Sequence, residues 1–166
     1  MNVKLNCKAG HNKDSMLLNN KKMALILTSA IFFIALDRFL KVLAKNYFFN
    51  KKISLIGDIL KFNFAKNYGI AFSIPFSGFI LNLIIIIIIL MLGYILFYSF
   101  NKKNYLLAGL LTIIVFGAIS NMLDRAMYGF VIDYIDLKYF TIFNIADIMI
   151  VLGALFLLIL NKRIKN

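Results

Sequence analysis

Gly78-Phe-Ile-Leu-Asn-Leu-Ile-Ile-Ile-Ile-Ile-Ile-Leu-Met-Leu-Gly-Tyr-Ile-Leu-Phe-Tyr-Ser-Phe100 runs without a single charge and carries six consecutive isoleucines, Ile84 to Ile89. A stretch this long and this apolar matches the thickness of a bilayer's hydrocarbon layer crossed by one helix. The four residues after it, Asn101-Lys-Lys-Asn104, form a very short turn into a second apolar run over 105–123. Two long spans joined so closely must be antiparallel neighbours. Working outward, an apolar stretch precedes them at 23–43, with Asp37, Arg38 and Lys41 near its far end, and another follows at 142–160. The expected architecture is an integral membrane protein, mainly α, with four transmembrane helices.

Composition agrees. Of 166 residues, 62% are hydrophobic and 16% charged, with a mean hydropathy of +0.86; soluble domains run nearer half apolar and a quarter charged. The 19 Lys and Arg against 7 acids give a net charge of +12. In a soluble chain that excess would raise nucleic acid as a partner. Beside apolar spans it is better read as contact with membrane lipid headgroups, so no nucleic acid is expected. Residues 1–22 read as a basic, disordered cytoplasmic tail, 23–160 as one four-span domain without internal repeats, and 161–166 as a basic cytoplasmic C-terminus.

Four spans put both ends of the chain on one side. The tail, the 101–104 turn and the C-terminus hold ten basic residues against seven in the two opposite loops, which favours cytoplasmic termini. The 44–77 loop is then extracytoplasmic, and the alternation Leu60, Phe62, Phe64 predicts short strands lying at the membrane surface.

The acids carry the chemistry. All seven are aspartates, and five of them (Asp37, Asp124, Asp133, Asp136, Asp147) fall at one face of the membrane in this topology. A carboxylate held inside hydrocarbon costs about 3 kcal/mol or more, so such placement marks function. Asp37 and Lys41 are four apart and can pair on one helix; Asn121 with Asp124, and Asn144 with Asp147, are three apart and share a face. Asp147 reads as lying five residues inside its span, whereas Asp136 and Asp58 read as solvated loop residues. The single cysteine, Cys7, and the single histidine, His11, both lie in the tail. That excludes a cysteine–histidine zinc site and a Ser-His-Asp triad; no metal and no cofactor is expected. What remains is a pair of carboxylates sharing a proton and activating water, as in aspartic proteases. The rival is a small proton- or cation-coupled transporter, whose acids would lie nearer the bilayer midplane. Spacing alone leaves open whether Asp124 or Asp133 partners Asp147.

Five segments, in order, resemble the lipoprotein signal peptidase (signal peptidase II) family of bacterial aspartyl peptidases. They are Asp37-Arg-Phe-Leu-Lys41, Asn67-Tyr-Gly-Ile-Ala-Phe-Ser73, Gly117-Ala-Ile-Ser-Asn-Met-Leu-Asp-Arg125, Val131-Ile-Asp-Tyr134 and Phe143-Asn-Ile-Ala-Asp147. The resemblance implies that 23–160 is a four-span peptidase domain with a catalytic pair of Asp133 and Asp147. It assigns supporting or substrate-binding places to Asp37, Lys41, Asn67, Gly69, Asn121, Asp124, Arg125 and Asn144. It also implies a small extracytoplasmic β-cradle from the 44–77 region, location in the bacterial cytoplasmic (inner) membrane with the site near the outer face, and prolipoprotein substrates cut before a diacylglyceryl-modified cysteine. Thr141-Ile142 stand where the family has a proline, and the Asp133–Asp147 segment is shorter than the family's.

Overall fold

The computed structural model describes residues 3–49, 51–69 and 78–165, with side chains from residue 21 onward except 161 and 163–165. Among the described residues there are four helices: α1 (Val3–Tyr47), α2 (Phe79–Asn101), α3 (Tyr105–Tyr128) and α4 (Ile145–Lys165). Between them lie β1 (Ile53–Ile56), β2 (Leu60–Asn67), β3 (Val131–Leu137) and β4 (Ile142–Phe143), forming one antiparallel sheet in the order β1-β2-β3-β4.

The apolar runs became helices where expected, with shifted ends. Among the described residues, three helical stretches are long and apolar enough to cross a membrane: Lys21–Tyr47, Phe79–Asn101 and Tyr105–Tyr128. The apolar part of α4, Ile145–Leu160, is shorter and extends about 24 Å at 1.5 Å per residue. Residues 3–22 do not form an irregular tail, because α1 already begins at Val3. No proline interrupts this stretch, and extending an existing helix is far easier than nucleating one. Ile142 and Phe143, expected in the fourth span, are strand instead, so α4 starts three residues later.

The cradle is also differently built. Among the described residues, the 44–77 region supplies β1 and β2, while β3 and β4 come from the connection between α3 and α4. Asp136 is accordingly a strand residue, bonded to Asn63 at 3.3 Å and 3.5 Å from Lys52. Asp58 is a surface residue paired with Lys61 at 3.0 Å. Strand β2 pairs with β3 in a register that sets Ala65 opposite Asp133 and Asn67 opposite Val131. A tight connection closes β3 onto β4, with Phe140 N–H donating to Leu137 O at 2.9 Å and Tyr139 at φ +67°.

Two glycines decide how the sheet meets the bundle. Gly129, at φ +78°, ends α3 in a left-handed turn and its N–H bonds Arg125 O at 3.0 Å; a residue with a Cβ is strained there. The chain then enters β3 at once, directly above Asp124 and Arg125. Gly117 lies where α3 and α4 touch: a Cβ there would sit 2.7 Å from Ala146 O. This close approach brings Asn121, one turn further along α3, against the first turn of α4. Packed over that junction is a small core of Ala44, Ile132 and Tyr134.

Candidate active site

At the start of α4, Asn144 and Asp147 satisfy one another. Asn144 Oδ1 accepts from Asp147 N–H at 2.9 Å, and Asp147 accepts from Asn144 N–H at 3.2 Å. This reciprocal box is a helix N-terminus signature, and it supplies partners for backbone donors the helix itself leaves unmet. Asp147 is therefore in the first turn of α4, where amide dipoles favour a carboxylate, and not five residues deep in a span. Asn144 precedes the helix, so the two are linked by the cap and not by a shared helical face.

The Asn144 side chain then reaches across to Asp133. Its Nδ2 donates to Asp133 Oδ1 at 2.6 Å, with Asn121 Oδ1 at 3.2 Å and Ile132 O at 3.3 Å. Asp133, 2% exposed, accepts on its other oxygen from Asn67 Nδ2 at 3.0 Å. Asn67 Oδ1 accepts in turn from Gly69 N–H at 3.0 Å, and Arg125 Nη2 donates to Gly69 O at 2.9 Å. Arg125 thus braces the β2 end. Asp147 takes a further bond from Asn121 Nδ2 at 2.7 Å. The neutral amides of Asn67, Asn121 and Asn144 hold both acids, and Asn144 holds the two together. Residues 70–77, which contain the rest of the Asn67–Ser73 segment, lie outside the described residues.

Asp124 has other neighbours. It pairs with Arg38 and with Lys41 Nζ at 2.9 Å, and accepts from Ile132 N–H at 3.2 Å. Lys41 also bonds Asp37 at 2.9 Å and Asn121 Oδ1 at 2.9 Å. Asp37, Lys41 and Asp124 are all fully buried. The pairing of Asp37 with Lys41 is as the four-residue spacing predicts. Lys41 is not snorkelling to water, because it is the centre of a charge cluster in which two cations balance two carboxylates. Asp37 completes it by accepting from Ser120 Oγ at 2.6 Å, Tyr134 Oη at 2.9 Å and Ala146 N–H at 3.3 Å. Ser120, Tyr134 and Arg38 hold places in the cluster that the sequence pattern does not indicate. Nothing local to those residues marks their partners, which lie in other elements.

Electrostatics separates the two candidate partners of Asp147. Asp124 is paired with two cations, Arg38 and Lys41. Asp133 is pushed up to about 7, first by burial and second by the charge of Asp147, against the pull of Asn67, Asn144 and Lys41. An acid whose value rises on folding stabilises the fold below about pH 4 relative to higher pH, and that contribution is lost as pH rises toward 7. Replacing Asp133 with Asn removes the titration. The melting temperature of detergent-solubilised Asp133→Asn is therefore expected to fall less between pH 4.5 and 7.5 than that of the parent chain. Equal slopes in a thermal-shift series would show that Asp133 ionises normally.

Two apolar clefts open on Asp147 from either side of α4. One, about 220 Å³, is lined by Asn67, Phe140, Phe143, Ile148 and Val151 among others. The other, about 320 Å³, lies between α2, α3 and α4 and is lined by Leu81, Ile85, Ile88, Asn121, Arg125 and Ile150 among others. No group of three His, Cys, Asp or Glu side chains among the described residues is placed to hold a metal ion. An apolar helix bundle with two amide-held acids at one end, Asp147 opening on apolar space and Asp133 buried beside it, defines a membrane peptidase of the aspartic type.

Residues 29–162 match the family model described as Signal peptidase (SPase) II. The chain belongs to the signal peptidase II family. It is 38% identical to the lipoprotein signal peptidase of Caldicellulosiruptor bescii over 122 residues, 74% of this chain and 80% of the relative. It is 36% identical over 141 residues to that of Caldanaerobacter subterraneus subsp. tengcongensis, covering 81% of this chain and 92% of the relative. Its fold is similar to a bacterial membrane enzyme solved by the in meso method, with a TM-score of 0.74 and 26% identity over 84% of this chain and 88% of that one. Family membership decides against the transporter alternative, in agreement with acids gathered at one end of the bundle.

Proposed function

We propose that this chain removes signal peptides from prolipoproteins, cutting before a diacylglyceryl-modified cysteine, with Asp133 and Asp147 as the catalytic pair. The observation that carries the reading is Asn144 bonded to both acids, with Asp133 displaced to about 7 beside Asp147. At neutral pH the pair holds one proton. The ionised carboxylate takes a proton from water as the water oxygen attacks the scissile carbonyl. The protonated carboxyl hydrogen-bonds the developing oxyanion and then gives its proton to the leaving amine. Asn67, Asn121 and Asn144 orient the two acids, while Arg125 and Gly69 hold the β2 end over them. Asp37, Lys41 and Asp124 brace the junction of α1, α3 and β3 from below.

The two apolar clefts suit an apolar peptide and acyl chains that stay in the bilayer, so the membrane contributes much of the substrate's affinity. In this reading the chain is multi-pass in the bacterial cytoplasmic membrane, with residues 1–22 and 161–166 cytoplasmic and the sheet on the outer face; the excess of basic residues on the tails and the 101–104 turn supports it. Purified enzyme incubated with matched lipidated and unlipidated prolipoprotein tests the function. Cleavage of the lipidated form alone, unchanged by EDTA, is the expected result. Equal cleavage of both forms would remove the lipid from the recognition, and loss on chelation would replace the carboxylate mechanism with a metal-assisted one.

A further inference from the structure

We propose that the Tyr134 hydroxyl is a positioning group for the reaction, fixing the first turn of α4, and with it Asp147, against Asp133 and the Asp37 cluster. The inference rests on the catalytic reading above. Tyr134 directly follows Asp133 in β3 and is fully buried. Its hydroxyl donates to Asp37 Oδ1 at 2.9 Å and accepts from Ile145 N–H at 3.1 Å. Ile145 is the first residue of α4 and lies two before Asp147. One oxygen atom therefore ties the residue beside one acid to the helix turn that carries the other.

The first three N–H groups of a helix have no partner within it. In α4 each finds a different one: Ile145 N–H bonds Tyr134 Oη, Ala146 N–H bonds Asp37 Oδ1 at 3.3 Å, and Asp147 N–H bonds Asn144 Oδ1. All three partners lie in the segments that resemble the family's motifs, and the first is the hydroxyl of this tyrosine. A phenylalanine would keep the ring, which packs against Phe62 at 5.5 Å between centroids. It would leave the part-buried Ile145 N–H without this acceptor and Asp37 one donor short. Burial and the neighbouring Asp37 charge push the phenol further up from its ordinary value, so it serves as a neutral donor and acceptor. The hydroxyl's partners are already supplied by the protein, so it acts through Asp147 and not on substrate.

The test compares kcat and KM for the lipidated substrate across four proteins: the parent, Tyr134→Phe, Phe62→Leu, and the chain carrying a fluorinated tyrosine at 134. Tyr134→Phe is expected to lower kcat about tenfold, the loss of one buried hydrogen bond and a displaced acid, with KM unchanged. Phe62→Leu loosens the ring's packing without touching the hydroxyl, and is expected to lower the melting temperature while kcat holds. The fluorinated tyrosine keeps the shape but makes the phenol oxygen a weaker acceptor for Ile145 N–H. It is expected to lower kcat as well, and it decides the matter if Tyr134→Phe does not fold. Unchanged kcat in the fluorinated protein, or in folded Tyr134→Phe, overturns the proposal. A matching rise in KM would also overturn it, since the hydroxyl would then act on binding. No cleavage by the parent would instead overturn the proposed function.

Discussion

Asp133→Asn and Asp147→Asn are each expected to lower turnover of the lipidated substrate by a factor of about 10² to 10⁴, with the proteins still folded in the membrane. An amide has the carboxylate's shape but cannot take up and release the proton that the reaction moves. The parent's pH–rate profile is expected to be bell-shaped, reporting values that belong to the pair. Its alkaline limb should lie near the value of about 7 to which Asp133 is displaced, because above it the pair loses the proton the leaving amine needs. Asp124→Asn separates a supporting acid from a catalytic one. Its carboxylate faces Arg38, Lys41 and Ile132 N–H, so its loss should weaken the fold and leave measurable turnover. Near-normal activity in Asp133→Asn beside a dead Asp124→Asn would make Asp124 the partner of Asp147.

Lys41→Met is expected to be the most destabilising single change in the charge cluster. Lys41 is fully buried and 2.9 Å from both Asp37 and Asp124. Removing the cation leaves two buried carboxylates with only Arg38 to offset them. Breaking a buried ion pair from one side costs about 3–5 kcal/mol, which for a chain of this size lowers the melting temperature by about 10 °C. Lys61→Gln is the comparison, since its partner Asp58 is mostly exposed and such surface pairs contribute under about 1 kcal/mol. Thermal unfolding in detergent at matched pH reads both. A Lys41→Met protein as stable as the parent would show that the cluster is not held by charge.

Much of the bundle is written in short-range pattern. The uncharged run at 78–100 and the brief 101–104 turn dictate two antiparallel helices, because neither helix can bury its surface in water. The pairing of Asp37 with Lys41 follows from one helical turn, and the Leu60, Phe62, Phe64 alternation lies within β2. The strands of the 131–143 connection were harder to read. Only four residues, Lys138 to Thr141, separate β3 from β4, and β4 is two residues taken from the edge of an apolar run that looked wholly helical. The start of α4 differs from the expected one for the same reason: Ile142 and Phe143 are as apolar as the span behind them, and a strand forms there because β3 offers them a partner.

By itself, then, the sequence determined a basic-ended bundle of apolar helices with its aspartates gathered toward one end, and its motifs named the acids. Tertiary structure decided what each acid does. Asp124, Asp133 and Asp147 are all aspartates near apolar segments, and their differences come from groups distant in the chain. Arg38 and Lys41 come from α1, Asn67 from β2, and Asn144 from the cap of α4. A carboxylate's charge state depends on what lies within a few ångströms of it and on how much water is excluded. Neither quantity exists until Gly117 lets α4 close on α3 and Gly129 turns β3 over the end of the bundle.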